Sequence, residues 1–240
     1  MSLSQFLEQA VPRVYYDAAV LDAEEELEPS TCVIPPLPSF SDIKTVYCFS
    51  SDVCLSLSES IRIHLKLHHP FQSSHIRYND KRSISFYHVP SLNLLICDYL
   101  CTATPELDLA LSEHLITLNP QQINTLTLLS HAHSLPVMSQ VSVNVSPLSI
   151  PLLPFPHFLS GISAALINQS QFKGFPCSCL AIRDSTTLVD LSAIFDNKNT
   201  CVFEEFLKSF ELCAADLNVV LAKAKVYLSR IRKSKGSYYV

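Results

Sequence analysis

The sequence predicts a single α/β domain in which a layered mixed sheet is flanked by helices and followed by a flexible C-terminal tail. Two observations lead to this fold class. Apolar residues make up 48% of the 240 residues, which is enough for a sizeable core. Short apolar runs typical of strands alternate with longer segments of helical periodicity. We divide the chain into an N-terminal arm (residues 1–42), an α/β domain (43–232) and a binding tail (233–240).

The arm is acidic and proline-rich. We expect it to be mobile or loosely docked, with the proline stretch extended. An acidic run is usually a solvated segment. The acidic residues of this patch are Asp22, Glu24, Glu25, Glu26 and Glu28, and the prolines that follow are Pro35, Pro36 and Pro38.

Strands are predicted wherever a short apolar run is bounded by turn residues. The loop 134–156, rich in Ser, Pro and Val, contains a possible edge strand at Val141–Val145. The other predicted strands are Thr45–Phe49, Ile84–Val89, Leu94–Tyr99, Leu126–Leu129, Ser178–Ile182 and, less clearly marked, Leu188–Leu191.

The segment Cys54–Leu67 is ambiguous. Its apolar residues alternate with polar ones, which is the period of a strand. A helix remains open if tertiary packing overrides that pattern. The alternating residues are Leu55, Leu57, Ile61, Ile63, Leu65 and Leu67.

Four helices are predicted from start signals, stop signals and apolar faces. Thr104 is a capping residue for a helix that Pro105 opens and Pro120 ends. The others are His157–Phe172, stopped by Gly174 and Pro176, then Cys201–Phe210, and Ala214–Arg232. The apolar face of the last helix comprises Leu217, Val220, Leu221, Ala224, Leu228 and Ile231.

Composition excludes several functional classes. The chain has only three glycines, so neither a G-x-G-x-x-G motif nor a P-loop for phosphate can be written. No long uncharged apolar run predicts a membrane span, and the N-terminus lacks the pattern of a signal peptide. Nine cysteines without a secreted scaffold's spacing indicate reduced thiols in the cytoplasm or nucleus.

Three patterns resemble reactive sites, and we expect none to be catalytic or to bind a metal or cofactor. Gly161 and Ser163 form an incomplete nucleophile elbow, because the second glycine is missing and Ser163 falls within a predicted helix. Cys177 and Cys179 are expected on opposite sides of a strand, unlike a redox C-x-x-C pair. Four histidines lack matching ligand spacing, namely His68, His69, His131 and His133.

Basic residues gather near the C-terminus of a chain whose net charge is −5. Cations at the end of a helix are favoured by its dipole, and no nucleic-acid-binding motif accompanies them. We therefore expect no nucleic-acid partner. The six residues are Lys223, Lys225, Arg230, Arg232, Lys233 and Lys235.

The tail ends in Gly236-Ser237-Tyr238-Tyr239-Val240. Two aromatic residues are unusual in a solvated terminus, so either the tail folds back on its own core or it is a linear binding motif. This ending resembles the tail used by proteasome activators and proteasome assembly chaperones. That tail consists of a hydrophobic residue, a tyrosine, any residue and a free carboxylate. Tyr238, Tyr239 and Val240 are therefore our candidate partner-binding residues.

The C-terminal third resembles the proteasome assembly chaperone 1 family. The family shows a helix, a proline, an apolar strand, an acidic residue and a short Asp-Leu strand in this order. The same order is found here from Phe158 through Cys177-Ser178-Cys179-Leu180-Ala181-Ile182-Arg183-Asp184 to Asp190-Leu191. The order of elements is similar over roughly two-thirds of the chain. Two features depart from the family: the alternation at Ile61–Leu67, where the family has a helix, and a shorter chain.

This resemblance implies an assembly chaperone rather than an enzyme. It implies a heterodimer with the paralogous proteasome assembly chaperone 2, which binds α subunits of the proteasome core particle and promotes assembly of the α ring. The tail would dock in a pocket between α subunits, and no cofactor is implied. The alternatives are an α/β hydrolase-like or transferase enzyme with a dispersed active site, and an adaptor unrelated to the proteasome.

Overall fold

All residues described by the computed structural model lie within one unit of the chain, residues 34–240. The N-terminal acidic patch, the predicted strand Leu188–Leu191 and the three candidate tail residues lie outside the described part. The structure describes residues 36–78, 82–99, 104–129, 137–154, 157, 159–183, 194–195 and 199–236.

A seven-stranded mixed sheet forms the centre of the fold, in the order β2-β3-β4-β1-β5-β7-β6. Strands β4, β1, β5 and β7 are parallel neighbours, whereas β2, β3 and β6 pair antiparallel at the two sides. The strands are β1 (Thr45–Ser50), β2 (Gln72–Tyr78), β3 (Arg82–Val89), β4 (Leu94–Tyr99), β5 (Gln122–Leu129), β6 (Met138–Val143) and β7 (Cys177–Arg183).

Helices cover both faces of this sheet, which confirms the predicted α/β class. Helices α1, α4 and α5 share one apolar core with the sheet, and α2 and α3 pack together on the opposite face. The α-helices of the described residues are α1 (Asp52–Leu65), α2 (Pro105–Thr117), α3 (Gly161–Lys173), α4 (Thr200–Phe206) and α5 (Ala214–Gly236), and short 3₁₀ turns occupy Pro90–Leu92 and Lys208–Phe210.

Tyr47 of β1 is the centre of the core beneath α4 and α5. Its ring is fully buried and lies 4.4 Å from the ring of Phe210, centroid to centroid. Its hydroxyl donates a 2.8 Å hydrogen bond to the carbonyl of Phe206. A buried tyrosine keeps its apolar packing only if that hydroxyl is satisfied, so this bond fixes the end of α4 over the sheet.

Most predicted strands are confirmed, and the edge strand is displaced. The structure places the edge strand at Met138–Val143 rather than Val141–Val145, antiparallel to β7. Asn144 follows with φ 55°, a left-handed conformation that ends the strand. The alternation of this polar segment could not define its register without the pairing to β7.

The segment from Asp52 to Leu65 is a helix, so its strand-like alternation was misleading. Four apolar residues spaced by four positions line its buried face, and a strand that buried them would expose the even-numbered residues between them. The serines between them are buried as well: Ser56 and Ser60 donate to carbonyls of their own helix, at Val53 and Ser56. The buried apolar residues at this spacing are Val53, Leu57, Ile61 and Leu65.

Helix α2 begins as predicted at Pro105. The hydroxyl of Thr104 accepts a hydrogen bond from the backbone N–H of Leu107 at 3.4 Å. Glu106 and Asp108 lie in its first turn. The helix ends near Asn119, whose φ of 51° is left-handed, just before Pro120.

Three predicted helices have different bounds in the structure. The predicted helix Cys201–Phe210 is an α-helix over Thr200–Phe206, followed by a 3₁₀ turn at Lys208–Phe210. Helix α3 begins at Gly161 instead of His157, with Ser160 extended as its N-cap residue. Its predicted stop is confirmed, because Gly174 adopts a left-handed φ of 70°. Helix α5 continues through Gly236 rather than ending at Arg232, because the basic segment contains good helix formers and no proline.

The end of the predicted arm lies against the domain. The ring of Phe40 lies 5.8 Å from that of Phe86 and 5.7 Å from that of His88. Nε2 of His114 lies 3.0 Å from the carbonyl oxygen of Pro38. Residues 38–40 therefore pack on the sheet beside α2, on the face opposite α1.

Candidate partner-binding surface

Helix α5 is the described element that leads to the predicted binding residues. Tyr238, Tyr239 and Val240 themselves lie outside the described residues. The helix extends through Gly236, which our division of the chain placed in the tail. Residues 233–236, which we had assigned to the tail, therefore belong to α5.

The inner face of α5 is firmly held. Five of its six predicted apolar residues are at most 2% exposed, and they pack with α1 in the main core. At the start of the helix, the thiol of Cys213 donates to Asp216 and accepts from its backbone N–H, in the manner of a capping residue. The Cys213 hydrogen bond lowers the pKa of Asp216, with His64 as a smaller contribution.

Two valines are exposed on the outer face of α5. Val219 and Val226 are 46% and 49% exposed. Ala215, one turn before Val219, and Ala222, between the two valines, are exposed on the same face. We call these four residues the outer stripe of α5.

Other large apolar side chains are exposed elsewhere. Phe172, in the last turn of α3, is 89% exposed. Leu67, after α1, and Leu152, beside β6, are 70% and 64% exposed. Single exposed hydrophobic residues are normal, but an almost fully exposed phenylalanine is the kind of side chain that interfaces use.

The buried hydroxyl of Ser163 is unsuited to nucleophilic catalysis. It lies on α3, fully buried, and its Oγ is 2.6 Å from Oγ1 of Thr125 on β5. A nucleophile needs a base within reach and access to substrate, and Ser163 has a second hydroxyl instead. Its role in the described structure is to join α3 to the sheet.

Cys177 and Cys179 point to the same face of β7, which corrects our expectation. Positions two apart in a strand share a face. Burial raises the pKa of Cys177 to about 12 and that of Cys179 well above its ordinary value. Because the thiolate is the reactive form, these thiols are unreactive at neutral pH.

The histidines divide between described and undescribed segments. His69 Nδ1 lies 2.9 Å from Ser91 Oγ, and the ring of His68 is 5.5 Å from that of His64. His131 and His133 are outside the described residues. Among the residues with described structure, no group of three or more His, Cys, Asp or Glu side chains could hold a metal ion. Within the same residues, no helix is both long and apolar enough to cross a bilayer.

Sequence reasoning missed a buried charge pair beneath α1. Arg62 of α1 reaches Asp98 of β4 with Nη2 to Oδ2 at 3.2 Å, and it also contacts Glu59. The guanidinium lies 4.0 Å from the ring centre of Tyr87. Ser58 donates to the other oxygen of Asp98. Burial raises the pKa of Asp98 to about 6, against the opposing effects of Arg62 and Ser58.

Comparison with known proteins identifies the fold. No protein-family model and no curated protein sequence match the chain. The crystal structure of PbaA from Pyrococcus furiosus, described as an archaeal homolog of proteasome-assembly chaperone, matches with a TM-score of 0.52 at 12% identity, covering 85% of this chain and 91% of PbaA. A protein of unknown function from Thermoplasma acidophilum matches with a TM-score of 0.51 at 10% identity, covering 82% and 91%.

These two similarities define the class of protein by its fold. The chain has an α/β fold that is also found in a homolog of proteasome-assembly chaperones. At 10–12% identity the similarity concerns architecture, and each residue's role must be argued from this chain.

Proposed function

We propose that this protein is an assembly chaperone of the proteasome core particle and not an enzyme. The observation that supports the proposal most is the fold shared with PbaA across 91% of that protein. The buried state of Ser163, Cys177 and Cys179 is consistent with this interpretation, because none of these candidate nucleophiles is exposed.

We further propose that it forms a heterodimer with a paralogous chaperone, proteasome assembly chaperone 2, in the cytoplasm or nucleus. Only 16% of the residues are charged, and large apolar side chains such as Phe172 are exposed. Contact with a partner would remove such side chains from water. The heterodimer would then bind α subunits and promote assembly of the α ring.

The proposed tail interaction rests on the chemistry of three residues. Tyr238 supplies an apolar surface, and Tyr239 supplies a flat ring with a hydroxyl at its far end. In a protein that ends at Val240, the terminal carboxylate is ionised at neutral pH and can pair with a lysine between α subunits. Ordering so short a segment costs roughly 1–2 kcal/mol per residue, so the tail must act together with the folded domain.

The test measures binding of the purified heterodimer to recombinant α-ring intermediates. Deleting Tyr238–Val240, or changing Tyr239→Ala, should weaken binding by about tenfold or more, while heterodimer formation is unchanged. Adding one residue after Val240 should also weaken it, because the carboxylate moves by about 3.5 Å. Tyr227→Ala, within α5, is the matched tyrosine control and should bind like the parent.

Each outcome separates one part of the proposal from another. If the truncated and extended proteins bind α rings as well as the parent, the tail interaction is wrong and the domain alone recognises the ring. If the parent heterodimer binds no α subunit, the chaperone function is wrong and an adaptor with other partners becomes the better interpretation.

A further inference from the structure

The loop after β6 pairs with the outer side of that strand and so covers one edge of the sheet. The backbone N–H of Gln140 donates to the carbonyl of Pro151 at 3.0 Å, and the N–H of Leu153 donates to the carbonyl of Gln140 at 2.8 Å. The side-chain amide of Gln140 also donates to the carbonyls of Leu148 and Ile150. The middle of β6 is therefore blocked for any further strand.

The opposite edge, at β2, has no such cover among the residues whose structure is described. Strand β2 is outermost in the sheet and pairs with β3 alone. All seven of its residues take part in this pairing, without a bulge. Ser73 and His75 are exposed on it. In an antiparallel pair, alternate residues direct their N–H and C=O groups away from the neighbouring strand, so this edge offers a regular row of hydrogen-bonding groups.

The sequence of β2 lacks the features that usually keep edge strands apart. Natural proteins protect such strands with proline, lysine, a bulge or a covering segment. The strand reads QSSHIRY, with no proline and no lysine, and its one formal charge at neutral pH belongs to Arg77. A regular edge of this kind is suited to the addition of another strand, because main-chain hydrogen bonds supply the attraction.

The charge and length of β2 favour a second copy of the same strand as its partner. Two copies related by a two-fold axis run antiparallel, and one register pairs all seven residues of both. In that register Arg77 of each copy lies opposite an uncharged serine, and the two arginines are about 14 Å apart along the strands. The opposed residues are His75 with its counterpart, Ser73 with Arg77, Ser74 with Ile76, and Gln72 with Tyr78.

We propose that β2 is an interaction edge for a second copy of this chain, which adds its own β2 antiparallel in the register centred on His75. The sheets of the two molecules then become continuous. A contact of seven residues on each side is small, so the association belongs to the weak, transient class. It involves neither α5 nor the tail, and it does not depend on the proposed function.

Cysteine cross-linking of the full chain tests the contact and its register. Opposed residues of antiparallel strands have Cα atoms about 4.5–5.5 Å apart, which a disulfide can bridge. In an oxidised glutathione buffer, His75→Cys should form dimers linked at position 75, in a yield that rises with protein concentration. Non-reducing electrophoresis and mass spectrometry of the linked peptide separate them from dimers linked through native cysteines, which the parent also gives.

Ser73→Cys is the matched control for the register. Position 73 is exposed and lies two residues from position 75, so both side chains are on the same side of the strand. In the proposed register the two copies of position 73 are about 14 Å apart, too far for a disulfide. This variant should therefore give no link between the two copies of position 73.

Charge at position 73 tests the same register independently. Ser73 lies opposite Arg77 of the second copy, so a cation there should repel and an anion should attract. In the His75→Cys protein, Ser73→Lys should lower the yield of linked dimer and Ser73→Glu should raise it, each by about two- to fivefold.

Hydrogen exchange gives a measurement on the unsubstituted protein. The amides of β2 that point toward β3 should be protected at every concentration, whereas the alternate amides should gain protection only as concentration rises. If these alternate amides were protected at every dilution, another segment of the same chain would cover the edge. That result, or no protection at any concentration, would overturn the proposal. So would equal cross-linking at positions 73 and 75, or charge variants that change the yield in the same direction.

Discussion

Single buried polar residues attach the helices to the sheet. Arg62 and Ser58 of α1 bind Asp98 of β4. On the opposite face, the hydroxyl of Tyr99 donates to Asp108 of α2 at 2.7 Å. Each contact satisfies a group that would be costly to bury alone, so each favours one placement of its helix.

Arg62→Met should destabilise the protein in a pH-dependent way. The folded-state pKa of Asp98 is about 6, above its ordinary 3.8. Protonated Asp98 therefore adds to the stability of the folded protein. This contribution is complete below pH 3.8 and is lost as the pH rises through about 6. Without Arg62 the ionised carboxylate has no cation, which should cost on the order of 3 kcal/mol at pH 8. At pH 5 the carboxyl is mostly protonated, and the loss should be much smaller.

Urea unfolding of the parent and the variant at pH 5 and pH 8 measures this difference. Lys66→Met, at an exposed position directly after α1, is the matched control and should change stability by less than about 0.5 kcal/mol at either pH. If Arg62→Met lowered the free energy of unfolding equally at both pH values, the arginine would not act by pairing with the ionised carboxylate of Asp98.

Ser163→Ala should reduce stability only. The substitution leaves Oγ1 of Thr125 buried without its partner, which costs about 1–2 kcal/mol. The double variant Thr125→Val with Ser163→Ala should recover part of that loss, because neither side then buries an unpaired hydroxyl. Thermal unfolding measures both effects. A turnover abolished by Ser163→Ala in a protein that still folds would contradict the structural role.

Helix α1 shows how an element can depend on its surroundings. Strands β1 and β4 are parallel neighbours in the sheet, and the chain that connects them includes α1. The apolar face at positions 53, 57, 61 and 65 packs into the main core with α5. A strand could also bury these four odd-numbered positions, but it would expose Ser56 and Ser60, so the burial of both sets favours the helix over the local alternation.

Leu57→Ala and Leu67→Ala test this interpretation as a matched pair. Both were part of the alternating pattern, but Leu57 is fully buried in α1 and Leu67 is 70% exposed after it. Leu57→Ala should cost about 2–5 kcal/mol of unfolding free energy, and Leu67→Ala less than about 0.5 kcal/mol. Similar losses at the two positions, measured by urea unfolding, would be inconsistent with the helix.

Across the whole molecule, local signals predicted the parts of the fold that local physics determines. The parallel strands β1, β4, β5 and β7 contain short apolar runs, and the Thr104–Pro105 start of α2 is contained in adjacent residues. Strand β2, whose sequence is largely polar, was not predicted. The Gly174 stop of α3 is equally local. The nature of α1 and the position of β6 depend on partners distant in sequence, so their local patterns were ambiguous.

The sites were less predictable for the same reason. Arg62 and Asp98 are 36 positions apart, and nothing near either residue identifies the other. A local sequence signal for a binding site existed only in the tail, where two tyrosines follow polar residues. The tail interaction remains a prediction.

The surface of the described residues leads to the last prediction, that the isolated protein self-associates. Few charges and exposed side chains such as Phe172, Val219 and Val226 favour apolar contact between copies. Light scattering after size-exclusion chromatography should show a mass that rises with protein concentration. Sodium sulfate should strengthen this association, because it favours burial of apolar surface, whereas ionic contacts would weaken as charge is screened.

The paralogous partner should compete with this self-association, because it would cover part of the same apolar surface. Adding it in equal amount should replace the rising mass by that of a heterodimer, and Phe172→Ser should lower self-association without unfolding the protein. The phenylalanine is 89% exposed, so its removal should cost little stability. A monomer of constant mass at every concentration, unaffected by the partner, would mean that the exposed apolar residues are isolated surface positions and that the proposed heterodimer does not form through them.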